Sequence, residues 1–169
     1  MSWSLSSVGI LPDLSKHGES LRRIYRKTSM PNGGIVADAN VLLSAVAGNA
    51  ALRVLTEFRV IVHATAFNAE EVARYLPRMA AKYNLPLDLL QLQWKLLPLR
   101  LHPSEDYAGH FEEALRDLAA RDADDAHPLA LARALGLPLW SNDRDLQNLG
   151  VECFPTARLL KILSDERPR

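Results

Sequence analysis

The sequence predicts an α/β fold built on a mainly parallel sheet, and three observations lead there. Short apolar runs alternate with longer stretches whose apolar residues recur at three- and four-residue spacing, the pattern of strands joined by crossover helices. About five such runs occur, and no internal repeat or low-complexity tract interrupts them. The chain has 169 residues, 48% of them hydrophobic and 24% charged, which suits one globular domain with a single core.

In chain order, residues 1–32 come first, mixing Ser, Gly and Pro around one basic stretch, SLRRIYRKTSM, and running into the breaker PNGG. They read as an N-terminal extension to a domain over 33–169, with Arg22, Arg23, Arg26 and Lys27 as a solvated polar face rather than a nucleic-acid contact. Strands are expected at IVAD (35–38), RVIVHA (59–64), LPLRL (97–101), LPLWS (137–141) and a brief VECF (151–154). Between them NVLLSAV, NAALRVLTEF, AEEVARYLPRMAAKY, PLDLLQLQWKLL, SEDYAGHFEEALRDLAAR, DDAHPLALARALG and TARLLKIL carry helical periodicity, with Pro77 splitting the third. A short helix, DLQNL, is expected after the fourth strand.

Composition narrows the function classes. Cys153 is the only cysteine, so neither an internal disulfide nor a thiolate zinc cluster can be built, and a reducing, cytoplasmic compartment is expected. No apolar run is long enough to cross a bilayer, and MSWSLSSVGILPDLSKHG lacks the pattern of a secretory signal, so no membrane partner is expected. Twenty basic and 20 acidic residues give a formal charge of zero, without the global basic excess of many nucleic-acid binders. If several acids are gathered in one site and neutralised by divalent ions, the remaining surface is net positive and attracts phosphate.

The placement of the acids therefore decides the reading. Asp38 ends the first strand directly before a helical pattern, and Asp143 in SNDRD follows the fourth strand at the same edge, where open parallel sheets bind ligands. An ionised group at the end of a buried strand costs several kcal/mol unless compensated, so Asp38 asks for a partner. Asp143 also suits a helix N-cap, as does Asp145 two residues on. In RDADDAHPLALARALG, Asp122 can cap the helix while Asp124 and Asp125 favour its dipole. Asp125, four residues before Leu129 and seven before Ala132, lies on the sheet side, with Asp124 as second choice. In NAEEVARYL, Glu71 shares a stripe with Tyr75 at the rim of the buried face, and Glu70 turns to water.

In order and setting these acids resemble those of the PIN-domain ribonucleases, a family that includes toxins of bacterial toxin–antitoxin pairs. The likeness covers roughly residues 34–163. VADANVLLSAV resembles the opening strand and helix, with Asp38 as the first acid and Asn40 two positions on; EEVARYL resembles the second motif, selecting Glu71 with Leu76. DDAHPLALARALG and LPLWSNDRDL resemble the third and fourth motifs, selecting Asp125 and Asp143. Ser141 stands where the family usually has threonine, retaining the hydroxyl.

The resemblance implies a PIN-like three-layer α/β/α fold around a central, mainly parallel sheet of about five short strands. It also implies that Asp38, Glu71, Asp125 and Asp143 hold Mg2+ or Mn2+ for RNA hydrolysis, supported by Asn40 and Ser141. The physics agrees, since two carboxylates about 4 Å apart repel by about 4 kcal/mol even at an effective dielectric of about 20, and a hard divalent ion removes that cost. An antitoxin partner and a homodimer follow from the same likeness. Arg74, Arg121 and Arg144 are candidates to steer the RNA backbone, each equally a solvated charge, while His63 and His127 lack a visible partner and read as structural. The alternatives are a catalytically silent PIN-like module binding RNA or protein, and a phosphate-transfer domain on a related sheet. The latter lacks its second acid, because Asn40 stands two residues after Asp38.

Overall fold

The computed structural model describes residues 33–119 and 122–166. Its strands are β1 (Ile35–Ala37), β2 (Val62–Thr65), β3 (Leu99–His102), β4 (Leu139–Trp140) and β5 (Cys153–Phe154). They form one sheet in the order β3-β2-β1-β4-β5, with every neighbouring pair parallel. The helices are α1 (Ala39–Val46), α2 (Ala50–Thr56), α3 (Ala66–Tyr83), α4 (Leu87–Leu96), α5 (Ala108–Asp117), α6 (Ala126–Leu135) and α7 (Thr156–Asp165).

The central strand has no alternation in its sequence because both of its faces are covered, as parallel strands require. Ile35 and Ala37 join Ala64, Trp140 and Phe154 in a core shared with α1, α2, α3, α4 and α7. Val36 and Leu139 point the other way, into a core closed by α5, α6, Tyr107 and Leu146. The result is the expected three-layer α/β/α arrangement.

Several boundaries differ from the sequence reading for identifiable reasons. The second strand begins at Val62 rather than residue 59, since Arg59 adopts a left-handed φ of 53° that no strand tolerates. It then runs directly into α3, which starts at Ala66 because Thr65 is at once the last strand residue and the helix N-cap. Pro77 does not split α3: it lies on the exposed side, where water can satisfy the Ala73 carbonyl that a proline cannot reach. The predicted helix over 104–121 resolves into a 3-10 turn (Ser104–Asp106) followed by α5, and DLQNL forms turns rather than a helix, ending with positive φ at Asn148 and Gly150. The N-terminal extension, with its basic stretch, lies outside the described residues, as does Arg121.

The breaker PNGG has a specific use. Gly34 has φ +99°, and a Cβ there would lie 2.1 Å from the carbonyl oxygen of Ile61. That carbonyl accepts the Ile35 amide at 2.9 Å and so starts the register of β1 against β2. Only glycine lets the two backbones approach this closely.

Candidate active site

The carboxyl ends of β1 and β4 lie side by side, with the Asp38 N–H donating to the Trp140 carbonyl at 3.1 Å. Asp38 is only 2% exposed and serves as N-cap of α1, its Oδ1 accepting the Val41 N–H at 2.8 Å. Its Oδ2 is buried with no hydrogen-bond partner. Burial pushes the carboxyl up to about 6, aided by the charge of Asp143 and opposed by the Ser141 hydroxyl and the Val41 and Asn40 amides. The hydroxyl favours the ionised form electrostatically, yet it forms no well-shaped bond to Oδ2, so that oxygen faces the site unsatisfied.

Ser141 is fully buried, and its Oγ accepts the Asp143 N–H at 3.0 Å, fixing the backbone from which Asp143 projects. Asp143 Oδ1 accepts the Asp145 N–H at 2.8 Å, so it caps a turn rather than the helix expected there. Asn142, which no sequence motif singles out, pins the same loop by accepting the Thr156 N–H at 2.8 Å. Asp145 itself is exposed.

On the far side of the sheet end, Asp122 caps the 3-10 turn before α6 by accepting the Asp124 N–H at 3.1 Å. Asp122 and Asp124 are exposed, whereas Asp125 is half-buried. Burial raises the Asp125 carboxyl to about 7, followed by the charges of Asp122, Asp143, Asp38 and Glu71. Asp125 is thus the group through which the other three chosen acids meet.

Glu71 on α3 is half-buried while Glu70 is exposed. Burial raises its pKa first, with Asp124 and Asp122 adding to the effect; the Asn68 hydrogen bond and Arg74 oppose it. The supporting relay is new relative to the sequence reading. Thr65 donates from its hydroxyl to Asn68 Oδ1 at 2.7 Å, and Asn68 Nδ2 donates to Glu71 Oε2 at 3.3 Å. The signal that would have found it is T-x-x-N at a helix start, a relative of the capping box.

Asn40 stands exposed on the first turn of α1, and Arg74 and Arg144 are exposed. His127 stacks on Phe67 at 3.8 Å between ring centroids and contacts the Tyr107 hydroxyl through Nδ1 at 2.8 Å, in keeping with a structural role. His63 does have partners, in a chain from the Gly33 carbonyl through His63 and His102 to Asp106.

Among the described residues, no three His, Cys, Asp or Glu side chains are gathered tightly enough to hold a metal ion as they stand. Asp125 feels the charges of the other three acids, but the four do not close on a common point. Their chemistry nevertheless fits a hard divalent cation, because the donors are all oxygen, Asp38 Oδ2 is buried and unpartnered, and the charges of Asp38 and Asp125 are held down by burial and mutual repulsion. A cleft of about 490 Å³ beside Gly136 and Pro138 lies at the opposite end of β4 and gathers none of these acids.

A family profile described as a PIN domain matches residues 36–164. The crystal structure of PAE2754 from Pyrobaculum aerophilum aligns with a TM-score of 0.58 at 15% identity, covering 80% of this chain and 94% of that one. The crystal structure of VapBC2 from Rickettsia felis, bound to a DNA fragment from their promoter, aligns with a TM-score of 0.53 at 11% identity, covering 72% of this chain and 97% of that one. At such identities the likeness is one of fold. No curated protein matches by sequence. Because the profile runs from β1 almost to the end of α7, the chain belongs to the PIN-domain family.

Proposed function

We propose that the protein is a metal-dependent endoribonuclease that hydrolyses RNA phosphodiester bonds, with Asp38, Glu71, Asp125 and Asp143 as ligands of Mg2+ or Mn2+. The observation that carries this reading is the convergence of charge on Asp125 from Asp38, Asp143 and Glu71, beside the unpartnered Oδ2 of Asp38. A bound ion of this kind supplies an activated water and stabilises charge developing on the phosphate.

The chain's own residues do the rest. Asp38 holds one oxygen to the Val41 amide and presents the other to the site. Ser141 fixes the backbone of Asp143, and Thr65 with Asn68 orients Glu71. Asn40, exposed on the first turn of α1, would orient the scissile phosphate. Since no three of these acids lie close enough to hold an ion as they stand, binding would draw on side-chain rotation and on oxygens from water or substrate phosphate.

The test is cleavage of mixed RNA with added Mg2+ or Mn2+ by the intact protein and by Asp38→Asn and Asp143→Asn. The expected result is loss of cleavage in both variants; equal cleavage by all three ends the reading. The open ligand geometry also favours a catalytically silent module, and RNA binding that ignores magnesium with no cutting at all would select it.

Two partners belong to the same proposal, an antitoxin and a second copy of the chain in the cytoplasm. Support comes from α4, where the exposed Leu89, Leu92 and Leu96 recur on one side of the helix and Leu101 is exposed on the edge strand β3. Light scattering on the purified protein reads the dimer, and Leu92→Glu should shift it to monomer.

A further inference from the structure

Beside the acids, α1 and α3 enclose a cleft of about 210 Å³. It opens at Asn40 and Tyr75, close to Asp38 and one helical turn beyond Glu71, and continues past Ser44 to Asn49, Lys82 and Tyr83. Along α1 that is about two turns, or roughly 10 Å.

The lining has a particular chemistry. Tyr75 is 37% exposed and Tyr83 is 55% exposed. Each carries a cation beside it: the Arg78 guanidinium lies 5.6 Å from the Tyr75 ring centre and the Lys82 ammonium 5.2 Å from that of Tyr83. Across from the rings, the side chains of Asn40, Ser44 and Asn49 offer both donors and acceptors. A cavity of about 150 Å³ accepts benzene, so the volume here admits a larger planar ring.

We propose that this cleft binds an unstacked base of single-stranded RNA next to the scissile phosphate. The rings supply stacking surface, Arg78 and Lys82 meet the neighbouring phosphates, and the Asn49 amide with Ser44 meets base edges. None of the acids lines the cleft, but Asn40 follows Asp38 on α1 and Tyr75 lies one helical turn beyond Glu71, and this nearness, together with cations paired to exposed aromatics, favours RNA over an apolar peptide as its occupant. A double helix, whose bases are stacked, cannot use it. The inference deepens the ribonuclease reading and rests on it for the location of the cut.

Binding and cleavage separate the two. Anisotropy titration of a short fluorescein-labelled single-stranded RNA of mixed sequence, in the presence of a chelator, reads binding without cleavage, and the tyrosine variants isolate the share of the cleft. Tyr75→Ala and Tyr83→Ala should each weaken binding roughly tenfold, while Tyr83→Phe keeps it. Lys82→Glu should weaken binding and flatten its salt dependence. With Mn2+ added, the loss should appear in KM rather than kcat. Melting curves check that the variants fold, as their exposed positions predict. Unchanged RNA affinity in both alanine variants overturns the proposal, and so does an equal loss of affinity for double-stranded RNA. If no protein cleaves but the tyrosine variants still lose single-stranded binding, the ribonuclease reading fails and the cleft stands. If cleavage requires Asp38 and Asp143 but ignores the tyrosines in both affinity and KM, the reverse holds.

Discussion

At the scale of single residues, Asp38 divides its work between two oxygens. Oδ1 caps α1 and Oδ2 is left to the site, so the two natural substitutions should part company. Asp38→Asn keeps a cap acceptor and removes a buried charge; it should melt no lower than the parent near neutral pH while losing cleavage. Asp38→Ala should lose cleavage and also about 1 kcal/mol of stability with the cap, measurable by urea titration. A second consequence concerns pH. Asp38 is raised from 3.8 to about 6 and Asp125 from 3.8 to about 7, so the folded state binds more protons than the unfolded one between those values. Their contribution is present in full below the unfolded value and is lost as pH rises through about 6 and 7. Chelator-treated protein should therefore melt several degrees higher at about pH 5 than at about pH 8, and Mn2+ should narrow the gap by favouring the charged forms. An unchanged melting curve across this range would contradict the burial and repulsion that raise the two carboxyls. Asp38 and Asp143 were legible in the sequence because an apolar strand running into an acid is a local pattern. Asp125 could be told from its neighbours by helical offset alone. The Thr65–Asn68–Glu71 relay was hidden because α3 starts three residues earlier than its apolar periodicity suggests.

At the scale of elements, the sheet is joined by contacts that side chains and glycine make between strands. Gly34→Ala would force a Cβ onto the Ile61 carbonyl and a non-glycine residue into φ +99°. A loss of about 3 kcal/mol or more is expected, read as a lowered melting temperature. The chain of His63, His102 and Asp106 ties β2 to β3 and to the start of the domain, with contacts of 2.9, 2.9 and 2.8 Å. Burial disfavours a charged His63, which then donates from Nε2 to the Gly33 carbonyl and accepts at Nδ1. His102→Ala would leave that Nδ1 without its partner, at a cost of about 1–3 kcal/mol by denaturant titration. Element type was readable from alternating apolar runs, whereas strand order and strand ends were not. Arg59 shows why, because a left-handed residue inside an apolar run carries no mark in a sequence pattern.

At the scale of the whole molecule, the three layers and their five parallel strands follow from apolar runs spaced by crossover helices, and this much was legible. The breadth of the site was legible only through the order of its acids, since each motif by itself also suits a capping role. What the sequence could not convey is time. β1 pairs with β4 across about a hundred residues of chain, and that pairing alone brings Asp38 beside Ser141 and Asp143. Contacts so distant in sequence form late, because loop closure must precede any gain from pairing. During refolding from urea, cleavage should return with the slowest phase, after helix signals have recovered. On the proposed ribonuclease reading, a nascent chain still lacking β4 holds Asp38 without Ser141 and Asp143 and should not cut RNA, so the parallel topology ties activity to the arrival of the fourth strand.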